Sequence, residues 1–383
     1  MTASAFVSGT LVVCAPPELG GLRPAPALTE DKELNLKQYG WNAPFVRAFA
    51  EWTDGGFRAA RVLAVWKNGC RVIAESGELD VSFPGRLVET AVGDWLVLAP
   101  AADRVEAVLP RKTVLARKQP GSTFGRQVLA ANIDVLLIVA GVDGDFNVRR
   151  IERYLILAQQ SGADPVIVLS KADVLDATGD HQRVLDAARS ASPGTPVVFW
   201  SAWDPAAPAA LTDAVGVGNT AALIGSSGVG KSTMVNVLLG SDALRTQPVR
   251  EGDSRGRHTT THRELFLLPQ GWLLIDMPGM REVQLWASEQ SVETVFDDLR
   301  KIAAQCRFRD CAHQGEPDCA VAQAIAEGRI GADRVSHFRQ LRGEVANREL
   351  RQSITTQLAR KRRDKILHRS QKQMQRHGPK WRE

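Results

Sequence analysis

The sequence of 383 residues predicts a multidomain chain: an N-terminal OB-type β-barrel, a central circularly permuted P-loop α/β domain with a mostly parallel sheet, and a C-terminal α-helical zinc-binding domain. Three observations support this division. Short apolar segments between tight turns fill residues 57–115, buried strands alternate with helical stretches from residue 131, and cysteines interrupt a helical pattern beyond residue 291. The length agrees with two or three domains of about 100 to 200 residues each.

Changes in composition along the chain set the predicted boundaries. Residues 1–30 are expected to be a disordered or loosely packed extension, because prolines, glycines and small side chains leave little to bury. The domains that follow are an OB-fold domain at 31–120, a circularly permuted α/β domain at 121–290, a helical zinc-binding domain at 291–345 and a basic tail at 346–383.

The barrel is predicted from four short apolar segments, at 60–65, 70–74, 95–98 and 105–108. Turn-forming pairs that contain glycine separate them. Regular short strands joined by tight turns over about 60 residues are typical of a small barrel or sandwich. Of these two architectures we favour a five-stranded OB-type barrel.

Composition and hydropathy exclude several classes of protein. Apolar residues make up 44% and charged residues 24% of the chain, an ordinary globular balance that excludes wholesale disorder, collagen and coiled coil. The longest apolar run, residues 135–142, is far shorter than a membrane-spanning helix. The first 22 residues contain no Lys or Arg and so lack the positive region of a secretory signal. We therefore expect a cytoplasmic protein without a membrane partner.

The net charge of +5 is concentrated in the C-terminal tail. From Arg339 onward, 14 Lys or Arg face 4 Asp or Glu, and such a block attracts polyanions by counterion release. A solvated helix face and contact with an anionic membrane are the alternatives. The density of charge from Arg360 onward, with Trp381 near the end, favours contact with RNA. The OB-type domain is a second candidate surface for nucleic acid.

A glycine-rich loop between a predicted strand at 221–224 and a predicted helix at 231–239 has the P-loop pattern. Backbone amides at such a helix N-terminus converge on a β-phosphate, Lys231 adds a positive charge, and the Ser232 hydroxyl can ligate Mg²⁺. The pattern predicts binding of a nucleoside triphosphate. The predicted binding residues are Gly225, Ser226, Ser227, Gly228, Val229, Gly230, Lys231, Ser232 and Thr233.

Two later segments have the spacing of P-loop enzymes. Asp276 ends a predicted strand 45 residues after Lys231, where a carboxylate near Mg²⁺ is needed, and the amide of Gly279 suits the γ-phosphate. A polar stretch between the P-loop and Asp276 carries Thr259, which can ligate Mg²⁺ and sense the γ-phosphate. Thr260 is the second choice for that role.

Two loops that precede the P-loop have the character of a guanine site. Ser170, Lys171 and Asp173 follow one predicted strand, and Ser201 and Ala202 follow the next. In such a site the aspartate pairs with N1 and the exocyclic amine, the lysine lies along the ring, and a short loop offers amides to O6. A Lys-x-Asp sequence alone is also typical of a solvated loop, but here both segments close successive strands of one sheet.

The order of these motifs is unusual. In an ordinary GTPase the base-reading segments follow the phosphate-reading ones, whereas here both precede the P-loop, and Lys171 and Asp173 lie about 55 residues before Gly225. The sheet is therefore predicted to be circularly permuted, which an architecture tolerates when its original termini lie close together.

Together these motifs resemble the RsgA family, also called YjeQ, of ribosome small-subunit-dependent GTPases. The resemblance covers about residues 36–339 and rests on the motifs above, on the stretch 127–132 and on a cysteine cluster. It implies an OB domain, a circularly permuted GTPase domain, a zinc domain and a role late in maturation of the small ribosomal subunit. This chain departs from the family pattern at Ser170, where the family has Asn, and in residues 1–30. The shorter serine predicts a looser tether between the base-reading loop and the P-loop.

The catalytic group that orients water is missing from its ordinary position. Met280 follows Gly279, where a Ras-like enzyme has glutamine, so intrinsic hydrolysis is expected to be slow. The resemblance implies that docking on the ribosomal subunit supplies or organises the missing group. His258 is the polar candidate and would act beside Lys231 and Thr259, and a solvated loop histidine is the equally weighted alternative.

Three thiols and one imidazole lie within 14 residues, at Cys306, Cys311, His313 and Cys319. Four such ligands complete a tetrahedral site with no open position for catalysis, so we expect one structural Zn²⁺ rather than free thiols. The spacing also matches the zinc pattern of the RsgA family.

These observations predict a monomeric GTPase that binds the small (30S) ribosomal subunit and its rRNA and hydrolyses GTP to GDP and phosphate, with stimulation by the subunit. Its expected cofactors are GTP or GDP, Mg²⁺ and Zn²⁺. Two other functions stay open at this point: a P-loop ATPase or kinase, and a nucleotide-binding RNA-binding module not linked to ribosome assembly.

Overall fold

A mixed sheet of eleven strands joins the N-terminal and central regions of the chain in the computed structural model. The structure describes residues 35–83, 89–100, 104–118, 126–240, 263–277, 288–348 and 350. The predicted extension at 1–30 and nearly all of the basic tail lie outside these residues.

The described N-terminal region contains one α-helix, two short 3-10 helices and five strands. The helix is α1 (Ala43–Phe49), the 3-10 helices are Leu36–Tyr39 and Ala50–Gly55, and the strands are β1 (Arg58–Trp66), β2 (Gly69–Ala74), β3 (Gly77–Ser82), β4 (Trp95–Leu98) and β5 (Val105–Val108). The strands pair antiparallel in the order β3-β2-β1-β4-β5. Four of them match the predicted apolar segments. Closure into a barrel requires β3 to meet β5, a pairing not recorded among the described residues, so the OB assignment stays a prediction.

The central region alternates strands and helices, as predicted. Its strands are β6 (Val114–Lys118), β7 (Arg126–Ala131), β8 (Val135–Gly141), β9 (Asp164–Ser170), β10 (Val197–Trp200), β11 (Thr220–Gly225), β12 (Glu264–Leu267) and β13 (Leu273–Asp276). Its helices are α2 (Val148–Ser161), α3 (Asp173–Asp176), α4 (His181–Ala191), α5 (Ala207–Val215) and α6 (Lys231–Leu239). Strands β6 and β7 pair with each other, so this hairpin spans the predicted domain boundary at 120.

The central sheet is mostly parallel. Strands β10, β9, β8, β11 and β13 lie side by side in that order and run parallel, and β12 is antiparallel to β13. A single register pair, Ala64 of β1 with Glu264 of β12, joins this sheet to the N-terminal strands. Because the parallel strands share one direction, the C-terminal ends of β8, β9, β10, β11 and β13 lie at one edge of the sheet. We call this edge, with the described residues that follow each strand, the nucleotide edge.

Helices cover both faces of the central sheet. Along β8, Leu136 and Ile138 pack with α2 and α4 on one face, whereas Leu137 and Val139 pack with α5 and α6 on the other. This alternation follows from the two-residue repeat of a strand, and it makes β8 an apolar run throughout. None of the helices in the described part of the chain has the length and apolar character needed to span a bilayer.

Arg61 joins the N-terminal strands to the central sheet. It is buried in β1 and donates to the carbonyl of Tyr39, to the carbonyl of Asn132 at 3.2 Å and to Thr220 Oγ1 at 2.9 Å. Burial lowers the pKa of Arg61 to about 10, so the guanidinium keeps its charge at neutral pH. A buried charge is tolerated only where hydrogen bonds satisfy it, and these acceptors come from three separate segments.

The C-terminal region is helical, as predicted. It contains α7 (Glu289–Val295), α8 (Asp297–Ala303), α9 (Ala320–Ala326) and a last helix, α10, that begins at 332 and is described to 348. The residues predicted to form the apolar face of α10 are all buried, namely Val335, Phe338, Leu341 and Val345.

Helix α10 packs on α2 through a row of ion pairs that we call the α2–α10 seam. Buried Glu152 accepts hydrogen bonds from Arg334 and His337. Arg334 also donates to Asp298 at 3.0 Å and lies over the ring of Phe296, 4.6 Å from its centroid. The seam thereby fixes the helical C-terminal region to the central domain.

Candidate nucleotide site and metal centre

The P-loop lies between β11 and α6 and depends on glycine at three positions. Gly228 and Gly230 have φ values of 78° and 98°, in the left-handed region that glycine adopts without strain. At Gly225 an added Cβ would lie 2.5 Å from the carbonyl oxygen of Val139 on β8. The loop is therefore close to its neighbouring strand, and its backbone amides precede the N-terminus of α6.

Lys231 and Asp276 form the buried charged centre of this site. The Lys231 ammonium donates to the carbonyl oxygens of Gly225 at 2.9 Å and Ser226 at 2.6 Å. Burial lowers the pKa of Lys231 to about 8, and the charge of Asp276 opposes that shift. Burial likewise raises the pKa of Asp276, while Lys231 counteracts it. Both groups carry a desolvation cost that a charged ligand would relieve.

The base-reading loops meet each other and the P-loop, as predicted. Ser201 Oγ donates to Asp173 Oδ1 at 2.8 Å, which joins the loops after β10 and β9. Ser170 Oγ donates to the carbonyl oxygen of Val229 at 2.7 Å, and Ser170 is buried. The shorter serine hydroxyl therefore still reaches the P-loop, and a looser tether than asparagine would give stays a prediction.

Two aspartates that motif reading missed lie in the loop after β8. Asp143 binds the Lys171 ammonium at 2.6 Å, and Asp145 accepts from Ser226 Oγ of the P-loop at 2.5 Å. Burial raises the pKa of Asp145, but hydrogen bonds from Arg150 and Ser226 outweigh this effect and leave it lowered. Their one sequence signal is their place after the apolar run of β8, at the end of a parallel strand.

Several predicted site residues lie outside the described part of the chain. These are the proposed catalytic His258 and Thr259, the alternative Thr260, the γ-phosphate residue Gly279 and its neighbour Met280. Ser227, Ser232, Thr233 and Ala202 are described and lie on the P-loop, on the first turn of α6 or after β10, as predicted.

The predicted zinc ligands converge. The ligand atoms of Cys306, Cys311, His313 and Cys319 all lie within 4.8 Å of one another. Cys306 Sγ is 3.6 Å from His313 Nδ1 and 4.0 Å from Cys319 Sγ. The sulfur pair is far beyond disulfide length. Separations of this size fit the edges of a tetrahedron with metal–sulfur bonds of about 2.3 Å, so the four residues fit a zinc ion.

Local hydrogen bonds shape the segment from Cys306 to Cys319, which we call the cysteine knuckle. Cys319 is the N-cap of α9, and its Sγ accepts from the amide of Ala322. The Glu316 carboxylate accepts from the amides of Ala312 at 2.9 Å and Gln314 at 2.6 Å, which turns the chain around His313. The ligands are therefore held by their own loop as well as by any metal.

Sequence comparison decides the family. A family model described as RsgA GTPase matches residues 108–286. The small ribosomal subunit biogenesis GTPase RsgA of Xanthomonas oryzae pv. oryzae is 46% identical over 347 residues, which cover 86% of this chain and 93% of that protein. The chain belongs to the RsgA GTPase family.

Further comparisons agree with membership in the RsgA family. The protein of the same name from Xanthomonas euvesicatoria pv. vesicatoria is 48% identical over 275 residues, which cover 72% of this chain and 74% of that protein. Among solved structures, YjeQ from Thermotoga maritima has a TM-score of 0.57 at 24% identity, covering 76% of this chain and 99% of that chain.

The circularly permuted fold is confirmed by a second solved structure. YloQ, titled a circularly permuted GTPase, has a TM-score of 0.53 at 21% identity and covers 76% of this chain and 96% of that chain. In this RsgA family member the base-reading loops precede the P-loop, which is the motif order that such a permutation produces. The sequence-based recognition of an RsgA-type GTP hydrolase is likewise confirmed.

Proposed function

We propose that this protein hydrolyses GTP while bound to the small (30S) ribosomal subunit and acts late in the maturation of that subunit. Its relatives are named small ribosomal subunit biogenesis GTPases. The observation that carries the proposal is the bond from Ser170 to the carbonyl of Val229, because it joins a base-reading loop directly to a phosphate-reading loop. One nucleotide can then contact both loops at the nucleotide edge.

The phosphate end of the site uses the P-loop. Its amides and Lys231 would bind the β- and γ-phosphates, while the Ser232 hydroxyl and Asp276 would hold Mg²⁺ directly or through water. That ion, when bound, neutralises charge on the phosphates. Thr259 and Gly279 complete the γ-phosphate site in this proposal, and His258 positions water or the segment that carries it.

The base end of the site favours guanine. Asp173 already accepts one hydrogen bond from Ser201, and a carboxylate has about four acceptor positions, so capacity remains for the two donors on a guanine edge. Adenine presents no matching pair of donors, and an unmade buried hydrogen bond costs about 1 to 3 kcal/mol. This pairing argues against the ATPase or kinase alternative.

The Cys306, Cys311, His313 and Cys319 cluster is proposed to hold one structural Zn²⁺, since its four ligands leave no open position. We expect metal analysis of the purified chain to find one zinc per chain, and Cys311→Ser to lower that content and loosen residues 306–319 in hydrogen exchange. A parent chain with far less than one zinc would refute the site.

The partner surfaces are proposed from charge and fold. The basic tail and the N-terminal β domain, as an OB-type module, would bind rRNA of the small subunit. A monomer acting in the cytoplasm, with no membrane partner, fits this role.

The function is tested by GTP hydrolysis with and without purified small subunits. We expect a slow intrinsic rate that the subunits raise at least tenfold, and no stimulated activity in Lys231→Ala, which removes a charge that the nucleotide needs. A hydrolysis rate that the subunits do not change would favour the alternative in which the chain is an RNA-binding module that merely holds nucleotide. Preferential binding of ADP over GDP would favour the ATPase or kinase.

A further inference from the structure

Trp203 is 85% exposed, the largest exposure among the large hydrophobic side chains in the part of the chain that the structure describes. It directly follows Ser201 and Ala202 at the end of β10. An indole so exposed contributes little to folding, because apolar surface stabilises only when it leaves water. Val174, which follows Asp173 in the other base-reading loop, is also exposed, at 46%. Each of the two residues joined by the hydrogen bond between Asp173 and Ser201 is thus followed, one or two positions later in the chain, by an exposed apolar side chain.

The backbone that carries this indole is fixed relative to the base-reading carboxylate. The amide of Trp203 donates to Ser201 Oγ at 3.2 Å, and the same hydroxyl donates to Asp173 Oδ1 at 2.8 Å. On the other side, the amide of Ala207 donates to the carbonyl of Asp204 at 3.2 Å as α5 begins. These bonds tie the backbone of Trp203 to the Asp173 carboxylate through Ser201 Oγ, and the indole ring is exposed to solvent.

Asp173 can read only the edge of a base, because hydrogen-bond donors lie in the plane of the ring. A purine bound by its edge alone would leave both faces in water. Aromatic side chains satisfy such faces by offset stacking, which is strong and indifferent to the substituents on the ring. Lys171 is the residue that the sequence predicts to lie along the ring, and Asp143 binds its ammonium, so its aliphatic stem is what it offers to a base.

We propose that Trp203 stacks on the guanine ring of the bound nucleotide and closes one face of the base site. This proposal rests on the proposed function, in which Asp173 reads the base. Stacking gives affinity for the purine, and Asp173 gives the choice of guanine. Trp203 therefore strengthens GDP and GTP binding equally and leaves their ratio unchanged.

The test titrates GDP, and IDP, which lacks the exocyclic amine, against the full-length parent, Trp203→Ala, Trp203→Phe, Asp173→Asn and Trp66→Ala. Trp66 is the matched control, since it is 38% exposed and lies in β1, away from the nucleotide edge. We expect Trp203→Ala to weaken GDP and IDP by the same factor, about tenfold or about 1.4 kcal/mol. Trp203→Phe should recover most of the loss, and Trp66→Ala should match the parent.

A second readout separates stacking from a structural effect. GDP should change the tryptophan emission of the parent, and that change should be lost in Trp203→Phe but kept in Trp66→Ala. Asp173→Asn should weaken GDP more than IDP, because only guanine carries the exocyclic amine. Circular dichroism melting should be the same for the parent and both Trp203 variants.

The outcomes distinguish the two proposals. If Asp173→Asn loses GDP while Trp203→Ala binds it as the parent does, the base site stands and the stacking role is refuted. If both variants bind GDP as the parent does, the proposed function fails as well. If Trp203→Ala keeps its GDP affinity but loses association with purified small subunits, the indole binds the partner instead, and stacking on guanine is refuted.

Discussion

The nucleotide edge and the α2–α10 seam both bury charged groups, but they are assembled differently. At the nucleotide edge, the charged residues lie in or beside loops that follow parallel strands, such as Lys231 after β11 and Asp276 at the end of β13. In the seam, Glu152 meets Arg334 and His337, which are 182 and 185 residues away in the chain.

The two regions also differ in how their buried charges are compensated. Burial moves the pKa of Lys231 down and that of Asp276 up, so each is pushed toward its neutral form. In the seam, Glu152 has two charged or polar partners, and Arg334 has further acceptors in Asp298 and in the carbonyl of Ala191. The charged groups of the seam pair with one another, whereas Lys231 and Asp276 keep a desolvation cost that a charged ligand would relieve.

The largest effect is expected from Glu152→Gln in the seam. Removing one partner of a buried ion pair leaves Arg334 and His337 facing a neutral amide, and such changes cost about 3 kcal/mol. The free energy of unfolding, measured with urea, should fall by about that amount. GDP affinity of the folded chain should stay within about twofold of the parent, because the nucleotide edge is unchanged.

Asp333→Asn is the matched control for that variant. Asp333 neighbours Arg334 on α10 and pairs with Arg149 of α2 at 3.1 Å, but its side chain is 94% exposed. Exposed ion pairs contribute little, so we expect a loss below about 0.5 kcal/mol. If the two variants lose the same free energy of unfolding, the predicted difference between buried and exposed ion pairs is refuted. A large loss of GDP affinity in Glu152→Gln would show that the α2–α10 seam and the nucleotide edge are energetically coupled.

A smaller effect is expected from pH at the nucleotide edge. With a pKa of about 8, Lys231 loses most of its charge by pH 9, and GDP affinity should fall about tenfold between pH 7 and pH 9. Between pH 8 and the ordinary value of 10.5, the unfolded chain holds a proton that the folded chain has released. This group therefore raises the free energy of unfolding from about pH 8 upward, while the loss of its charge lowers nucleotide affinity.

Titrations of GDP at pH 7, 8 and 9 check the predicted fall in GDP affinity. Lys231→Arg keeps its charge across the range and should show no comparable decline, whatever its affinity at pH 7. A parent whose affinity is flat from pH 7 to pH 9 would show that the bound phosphates do not depend on the Lys231 charge.

The smallest effect is expected from Ser170→Ala, which breaks the bond to the carbonyl of Val229. One neutral hydrogen bond is worth about 1 kcal/mol, so GDP affinity should fall about fivefold as the base-reading loop and P-loop lose their tether. Ser190→Ala is the control, because the exposed Ser190 hydroxyl donates to the carbonyl of Ala187 in its own helix. Identical GDP affinities for the parent and both variants would mean that the tether is dispensable for binding.

Motif reading identified the P-loop, the base-reading loops and the cysteine knuckle because each is a short run whose local geometry follows from its own residues. Glycine at 228 and 230 permits the left-handed backbone of the P-loop, and Cys319 caps the helix that follows it. The same reading missed β3, a strand of six residues whose alternation rests on two apolar side chains, Leu79 and Val81, and the β6–β7 hairpin across the predicted boundary. It also missed Asp143 and Asp145, since an isolated aspartate in a loop has no distinctive neighbours.

The amino-acid order by itself indicated the permutation, the triphosphate-binding pattern of the P-loop and the cluster of three cysteines and one histidine, because those properties reside in spacing and residue type. Tertiary structure alone decided that Ser170 reaches Val229, that Arg61 joins β1 to the central sheet, and that Glu152 meets Arg334. These contacts depend on which strands and helices become neighbours. Which elements become neighbours depends on the burial of apolar faces across the whole chain, so a local sequence pattern does not reveal these contacts.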